Sequence, residues 1–441
     1  MATQPSPVDA RYGSLDRLND ARQRTDDLFR IVKEGALYDR PIAERHRIVF
    51  YIGHLEAFDW NLLRERLIDG DSFRPEFDKL FSFGIDPVDG GLPADQPSDW
   101  PSLTVVRDYV RRIREAIDSG LETALDSSAR REFPAEQLLN VAIEHRLMHA
   151  ETLAYMLHQL PFDRKVEVSL KPVGVSVPIE PEMLAIPEGT ATIGLPGSSD
   201  IFGWDNEFEQ QTLTVPAFEI DKYEVTNGDY LKFISAGGYN DPQYWSDSDW
   251  KWKSEHNISN PVFWVSNAET WLLRTMFHEV ALPLNAPVYV SHAEASAYAK
   301  WAGRALPTEA QWHRSAYGTP HGVENQYPWG NEAPSAKRGN FDFKSWDPAP
   351  VDAFPEGQSA FGLHDLLGNA WEWTSTPFAP LPGFEPFPFY RGYSADFFDG
   401  KHYVIKGGSP RTAACMLRRS FRNWFQPHYQ YVYAGFRCVK N

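Results

Sequence analysis

Apolar residues recur at helical spacing through the first third of the chain. Between Leu15 and Glu34 they fall at Leu18, Ala21, Leu28 and Ile31. Between Ala43 and Leu67 they fall at Ile48, Val49, Ile52, Leu55, Phe58, Leu62 and Leu63. Each set predicts a helix with one buried face. Pro87, Gly90, Gly91, Pro93, Pro97 and Pro101 then break the pattern and predict a long loop. Helical spacing returns from Leu103 to Leu125 and from Pro134 to Leu160, with Pro134 at a first-turn position. Four long helices with one extended connection predict an antiparallel bundle over residues 1–165.

From residue 166 the pattern changes. The stretch KPVGVSVPIEPEMLAIPEG is rich in Pro and lacks helical period, so residues 166–185 read as a linker that leads into the first strand of a second domain. Residues 186–441 carry short β-like runs between turn residues: TATIGLPG, QTLTVPAFEI, YVIKGGS and AGFRCV. Two short helices are predicted, Asn227 to Ser235 and Ala293 to Trp301. The fold class expected is α+β in two domains, a helical bundle followed by an irregular domain.

Composition narrows the function. A length of 441 residues favours two or three domains, and 42% hydrophobic residues allow a sizeable core. A net charge of -17, with 60 acidic against 43 basic residues, argues against a nucleic-acid binder. The N-terminal stretch has no basic start with an apolar core, and no apolar run approaches the roughly 18 residues that span a bilayer. The expectation is a soluble, cytoplasmic protein without a membrane partner. Cys415 and Cys438 form neither a disulfide framework nor a cysteine-rich zinc site.

The histidines carry the first chemical signal. His145 and His149, in AIEHRLMHAETL, stand at i and i+4, which on a helix puts both on one face about 5–6 Å apart at Cβ. A third ligand comes from another helix, and His54, within the second helix, is the candidate. Three imidazoles without cysteine fit a zinc hydrolase or a non-haem iron centre, and the residues alone leave that choice open. His158 is out of phase with the pair and reads as structural, His46 as solvated, and His428 as a possible pocket residue.

The second half carries an ordered series of motifs: FEIDKYEVTNGDYLKF, PVYVSHAEASAYAKWAGRALPTEAQWHRSAYG, YPWGN, FGLHDLLGNAWEWTSTPF, YVIKGGSP and AGFRCV. Residues 185–441 thereby resemble the formylglycine-generating-enzyme (sulfatase-modifying-factor) superfamily, which implies a C-type-lectin-like fold. Gly303, Pro307 and Glu309 read as turn and cap residues, and Asn369, Trp371 and Trp373 as core and loop anchors. The copper-binding cysteine pair of true formylglycine generators has no counterpart, since GGSPRTAACMLRRS offers only Cys415, here read as a buried small hydrophobe.

A three-histidine bundle joined to this domain is similar to the ergothioneine sulfoxide synthases and the related ovothiol and selenoneine synthases, in which a DinB-like bundle carries the ligands. The resemblance covers the whole chain. It implies Fe(II) held by His54, His145 and His149, with O2, a sulfur or selenium donor and, in two branches, hercynine (N-trimethylated histidine) as small-molecule partners. It places Trp424 on the substrate side with Phe425 as a pocket wall, and it makes Tyr390 and Tyr393 candidates for a catalytic tyrosine, with Leu381 where some relatives carry one. Phe425 and Tyr429 stand where the branch that uses γ-glutamylcysteine has Asp and Arg, and Met148 where it has Gln. That departure favours an uncharged donor and inclines the reading towards a selenosugar, with cysteine or γ-glutamylcysteine as the alternative. Arg411, Arg418, Arg419 and Arg422 are either carboxylate binders or structural ion-pair partners. Two other classes compete: a metal-dependent thiol transferase of the DinB-like type that needs no O2, and a binding protein without catalysis.

Overall fold

The computed structural model describes residues 7–84, 92–126, 132–168, 179–267 and 270–440. The chain divides into two compact units, Met1–Val168 and Ser169–Asn441.

The first unit holds helices α1 (Pro7–Arg30), α2 (Ile48–Leu63), α3 (Pro75–Phe83), α4 (Leu103–Asp126) and α5 (Ala135–His158). Helix α4 shows why the pattern folds: Val106, Tyr109, Ile113, Ile117 and Leu121 line one buried stripe, while Arg107, Asp108 and Arg111 face water. Helices α2 and α5 sit deeper. Helix α2 packs against α3, α4 and α5, and α1 packs on α5. Most of α2 is therefore buried, including the polar His54, Glu56 and Asp59. Two details differ from the sequence reading. Helix α3 is additional: it spans only nine residues and no side-chain cap marks its start. Pro134 precedes the first helical residue of α5, with φ -58° and ψ 134° in the extended region. The segment 85–91, within the expected long loop, lies outside the described residues.

The second unit starts with β1 (Met183–Ile186), β2 (Gly189–Ile193), β3 (Gln211–Val215) and β4 (Phe218–Asp221). Helices α6 (Asn227–Ser235) and α7 (Asp247–Glu255) precede β5 (Trp264–Asn267), β6 (Thr270–Arg274) and β7 (Glu279–Ala281). Helices α8 (His292–Trp301) and α9 (Glu309–Tyr317) then lead to β8 (Trp371–Pro377), β9 (Tyr403–Gly407), β10 (Asn423–Phe425), β11 (Ala434–Gly435) and β12 (Val439–Lys440). The strands form small sheets in the orders β1-β4-β12, β10-β9-β8-β11, β2-β3 and β5-β6-β7. Side-chain caps define the helices: Thr226, Ser246, Ser291 and Thr308 each accept a hydrogen bond from the third helical residue beyond them. The core centres on Trp312, Phe218, Ile220, Leu363 and Leu366.

The anchor residues behave as the sequence suggests. Gly303 ends α8 with φ +67°, a region that suits glycine. The buried Asn369 accepts from Ala349 N and donates to Ala349 O, and the Trp373 indole donates to Val290 O. Glu309 departs from the cap reading: Thr308 caps α9, and Glu309, its first helical residue, forms a two-bond pair with Arg422 in the buried interior.

Candidate metal centre and aromatic cluster

The metal-ligating atoms of His54, His145 and His149 all lie within 4.8 Å of one another. One helical turn separates His145 and His149 on α5, and α2 brings His54 against them. His54 Nε2 stands 3.2 Å from His149 Nε2. His54 Nδ1–H donates to the Phe81 carbonyl at 2.7 Å, which leaves the Nε2 lone pair aimed at the cluster. The His145 ring stacks on Phe58 at 3.4 Å between centroids and 11° between planes. Phe50 stacks on His54 at 4.7 Å.

The electrostatics suit a metal. Burial pushes His54 down to about 4, and burial plus the neighbouring imidazoles and Arg146 hold His145 and His149 well below the ordinary histidine range. All three rings are thus neutral donors at pH 7, the form that metals require. Behind them lies a buried charge network. Arg146, with a fully buried side chain, pairs with Glu56 at 3.0 Å and Asp59 at 2.6 Å and donates to Leu55 O. Arg114 extends the network from Glu56 to Asp26. Desolvation raises Asp59 against the pull of Arg146.

The second unit gathers a separate aromatic cluster. Trp424, on β10, stacks on Phe378 at 4.1 Å and 8°, and meets Tyr393 and Phe397 at 5.5 Å each. Tyr393 stacks on Trp204 at 4.0 Å, and Tyr390 lies 5.6 Å from Tyr393. Burial and the nearby Asp205 push Tyr390 up to about 12, so its hydroxyl stays protonated. Phe425 does not join them. Adjacent strand residues point to opposite faces, and Phe425 stacks instead on Tyr429 at 5.3 Å. Sequence reasoning missed Trp204, Phe378 and Phe397: Phe378 closes the FGLHDLLGNAWEWTSTPF motif, but nothing along the chain shows that these three rings gather around Trp424 and Tyr393.

Several other expectations resolve. Arg418 pairs with Glu207, Arg419 with Glu324 and Arg422 with Glu309, while Arg411 lies over Trp346. They are structural partners. His428 pairs with Asp249 at 2.8 Å and lies parallel to Trp252. His158 is buried at the end of α5, as a structural residue should be. His46 corrects the sequence reading: it is half-buried and packs on Phe50 at 4.2 Å rather than standing in solvent, because the extended Arg47 that caps α2 lays the preceding residue against the helix's first turn. Cys415 is a second correction. It is exposed, not buried, since the short helical turn Ala414–Met416 directs it outward while Met416 turns in.

Residues 172–441 match the sulfatase-modifying factor enzyme 1-like domain, and residues 17–153 match the DinB superfamily. A hercynine oxygenase from Mycolicibacterium smegmatis is 33% identical over 451 aligned residues, covering 98% of this chain and 99% of the relative. The chain belongs to the hercynine oxygenase family. The hercynine oxygenase of Mycobacterium tuberculosis is 40% identical over 250 residues, a stretch that takes in 56% of this chain and 58% of that relative. The chain thus spans little more than half the length of that relative. Ergothioneine biosynthesis protein 1 of Neurospora crassa is 28% identical over 502 residues, covering 93% of this chain and 56% of that protein. Among solved structures, PvdO from Pseudomonas aeruginosa covers 62% of the chain at 20% identity, with a TM-score of 0.40. Among the described residues, no helix is long and apolar enough to cross a membrane.

Proposed function

We propose that this protein is an O2-dependent, non-haem iron(II) enzyme that forms a carbon–sulfur or carbon–selenium bond on the imidazole of hercynine. The observation that carries the reading is the convergence of three neutral, largely shielded imidazoles in a chain aligned end to end with a hercynine oxygenase. His54, His145 and His149 would hold the metal. The donor set fits: three neutral nitrogens, one of them fixed in its tautomer by Phe81, and no thiolate. When bound there, iron(II) supplies open positions for a chalcogen donor and for O2.

The chain's own groups account for the rest. Phe50 and Phe58 cover the His54 and His145 rings and keep them in an apolar setting. The faces of Trp424 and Tyr393 suit a trimethylammonium group through cation–π attraction. Tyr390 retains its proton at neutral pH and is a candidate proton donor, with Tyr393 beside it. The overall change balances without another reductant: the imidazole C–H, the donor's S–H or Se–H and O2 give a carbon–chalcogen bond bearing one oxygen, plus water.

The neutral Phe425 and Tyr429, stacked on each other, favour a donor without a charged glutamyl arm. We place a selenosugar narrowly ahead of cysteine, and γ-glutamylcysteine last. The test is anaerobic loading with Fe(II), followed by hercynine, O2 and the three donors in competition, read by mass spectrometry. A product from the selenosugar or from cysteine fits this reading. Turnover with γ-glutamylcysteine alone removes the donor assignment. Bound iron with no product from any donor removes the reaction.

A further inference from the structure

Helix α3 reaches the histidine cluster through its main chain. The last four carbonyls of an α-helix have no partner within the helix. Phe81 is one of these residues in α3, and its carbonyl takes the His54 Nδ1–H at 2.7 Å. The contact requires α2 and α3 to approach closely, and Gly53, the residue before His54, is where they meet. A Cβ built on Gly53 would lie 2.3 Å from the Phe81 ring, far inside van der Waals contact. The Phe81 ring is fully buried, so it cannot swing into solvent.

The end of α3 is also tied down. Asn61, two turns beyond His54 on α2, donates to Ser82 Oγ at 2.6 Å and to Asp78 O at 3.3 Å. From α4, the Tyr109 hydroxyl donates to Asp78 Oδ1 at 2.7 Å. Gly84 closes the helix with φ +73°.

We infer that α3 is the positioning element of the metal centre: the Phe81 carbonyl orients His54, and the bare backbone of Gly53 lets it do so. The inference rests on the metal-centre reading above and adds Gly53, Phe81 and Asn61 as positioning residues. Loss of such an outer partner weakens metal binding by about 10- to 100-fold. A Gly→Ala change within a helix otherwise favours the helix, so a merely local effect on α2 would leave affinity unchanged.

The test uses the full apo chain titrated anaerobically with Co(II), whose visible absorption reports both affinity and ligand geometry. Gly53→Ala is expected to weaken binding by at least about tenfold and to alter the spectrum. Gly53→Ala combined with Phe81→Ala keeps the carbonyl but removes the ring that clashes, and is expected to recover most of the affinity. Asn61→Ala, at a partly exposed position that leaves the core packed, is expected to weaken binding less than Gly53→Ala does. Co(II) binding by Gly53→Ala equal to wild type overturns the inference, as does a double variant no better than the single one. If Gly53→Ala does not fold, unchanged affinity in Asn61→Ala overturns it. A wild-type chain that takes up no Co(II) overturns the metal centre itself, an outcome distinct from the others.

Discussion

Replacing Arg146 with Met keeps the approximate volume of the side chain and removes its charge. In the native bundle the guanidinium pairs with Glu56 at 3.0 Å and Asp59 at 2.6 Å, with both sides of the pair out of solvent. Glu56 retains Arg114 in the variant; Asp59 loses its cation. Removing one partner of a buried ion pair costs about 3–5 kcal/mol. Because the two units need not unfold together, amide hydrogen exchange in α2 and α5 is the suitable assay. At about 1.4 kcal/mol per decade, exchange there should quicken by roughly 150- to 4,000-fold. The pH dependence has a definite sign. Asp59 is raised to about 6 in the folded chain, above its unfolded value. A raised group contributes stability below its unfolded pKa and loses it as pH rises through the folded pKa. Without Arg146 the folded pKa rises further, so the variant goes on losing stability above pH 6, where the wild type has levelled off. The deficit should therefore widen from about pH 6 to about 7.5, by up to about 1.4 kcal/mol per pH unit. Exchange within about tenfold of wild type near pH 7.5, or a deficit that narrows with rising pH, would refute the reasoning.

Two further predictions concern the second unit. Trp424→Ala should raise KM for hercynine by roughly 5- to 30-fold, the worth of about 1–2 kcal/mol of cation–π attraction, while Phe425→Ala, on the opposite face of β10, should change it less; equal effects would remove the cage. His292, stacked on Tyr403 at 3.8 Å, is depressed by burial to about 4. The stability this neutral ring contributes is present above its unfolded value of about 6.5 and is lost as pH falls through about 4. Exchange in α8 of wild type should therefore quicken over that window, at a cost of about 3 kcal/mol, and His292→Phe should flatten the acid response; a variant with an unchanged acid profile contradicts this.

What the sequence makes legible follows from the length and regularity of each signal. Helices α2, α4 and α5 are long enough for a period to show, and the i, i+4 spacing of His145 and His149 is enough to put them on one helical face. Helix α6 is readable to its ends, Asn227 and Ser235, where Thr226 supplies a cap signal. Helix α3 and the β5–β7 sheet are not: α3 is as short as α6 but has no side-chain cap to mark its start, and strands of three to five residues carry little periodicity. The carbonyl that orients His54 is also beyond reach: every residue has a carbonyl, so no side-chain pattern marks the one at Phe81. The four arginines of ambiguous role find partners at Glu207, Glu309, Glu324 and Trp346, residues distant in the chain that only the fold brings together. Cys415 misleads because a small residue among apolar neighbours looks buried until the turn that carries it is known.

Iron retained per chain after anaerobic Fe(II) loading and desalting, compared between wild type and His149→Ala, bears most directly on the central claim. About one iron per wild-type chain is expected and almost none in the variant, with turnover lost in parallel, since a site with three protein ligands keeps too few when one is removed. Equal iron in both proteins, with turnover intact in the variant, would contradict it.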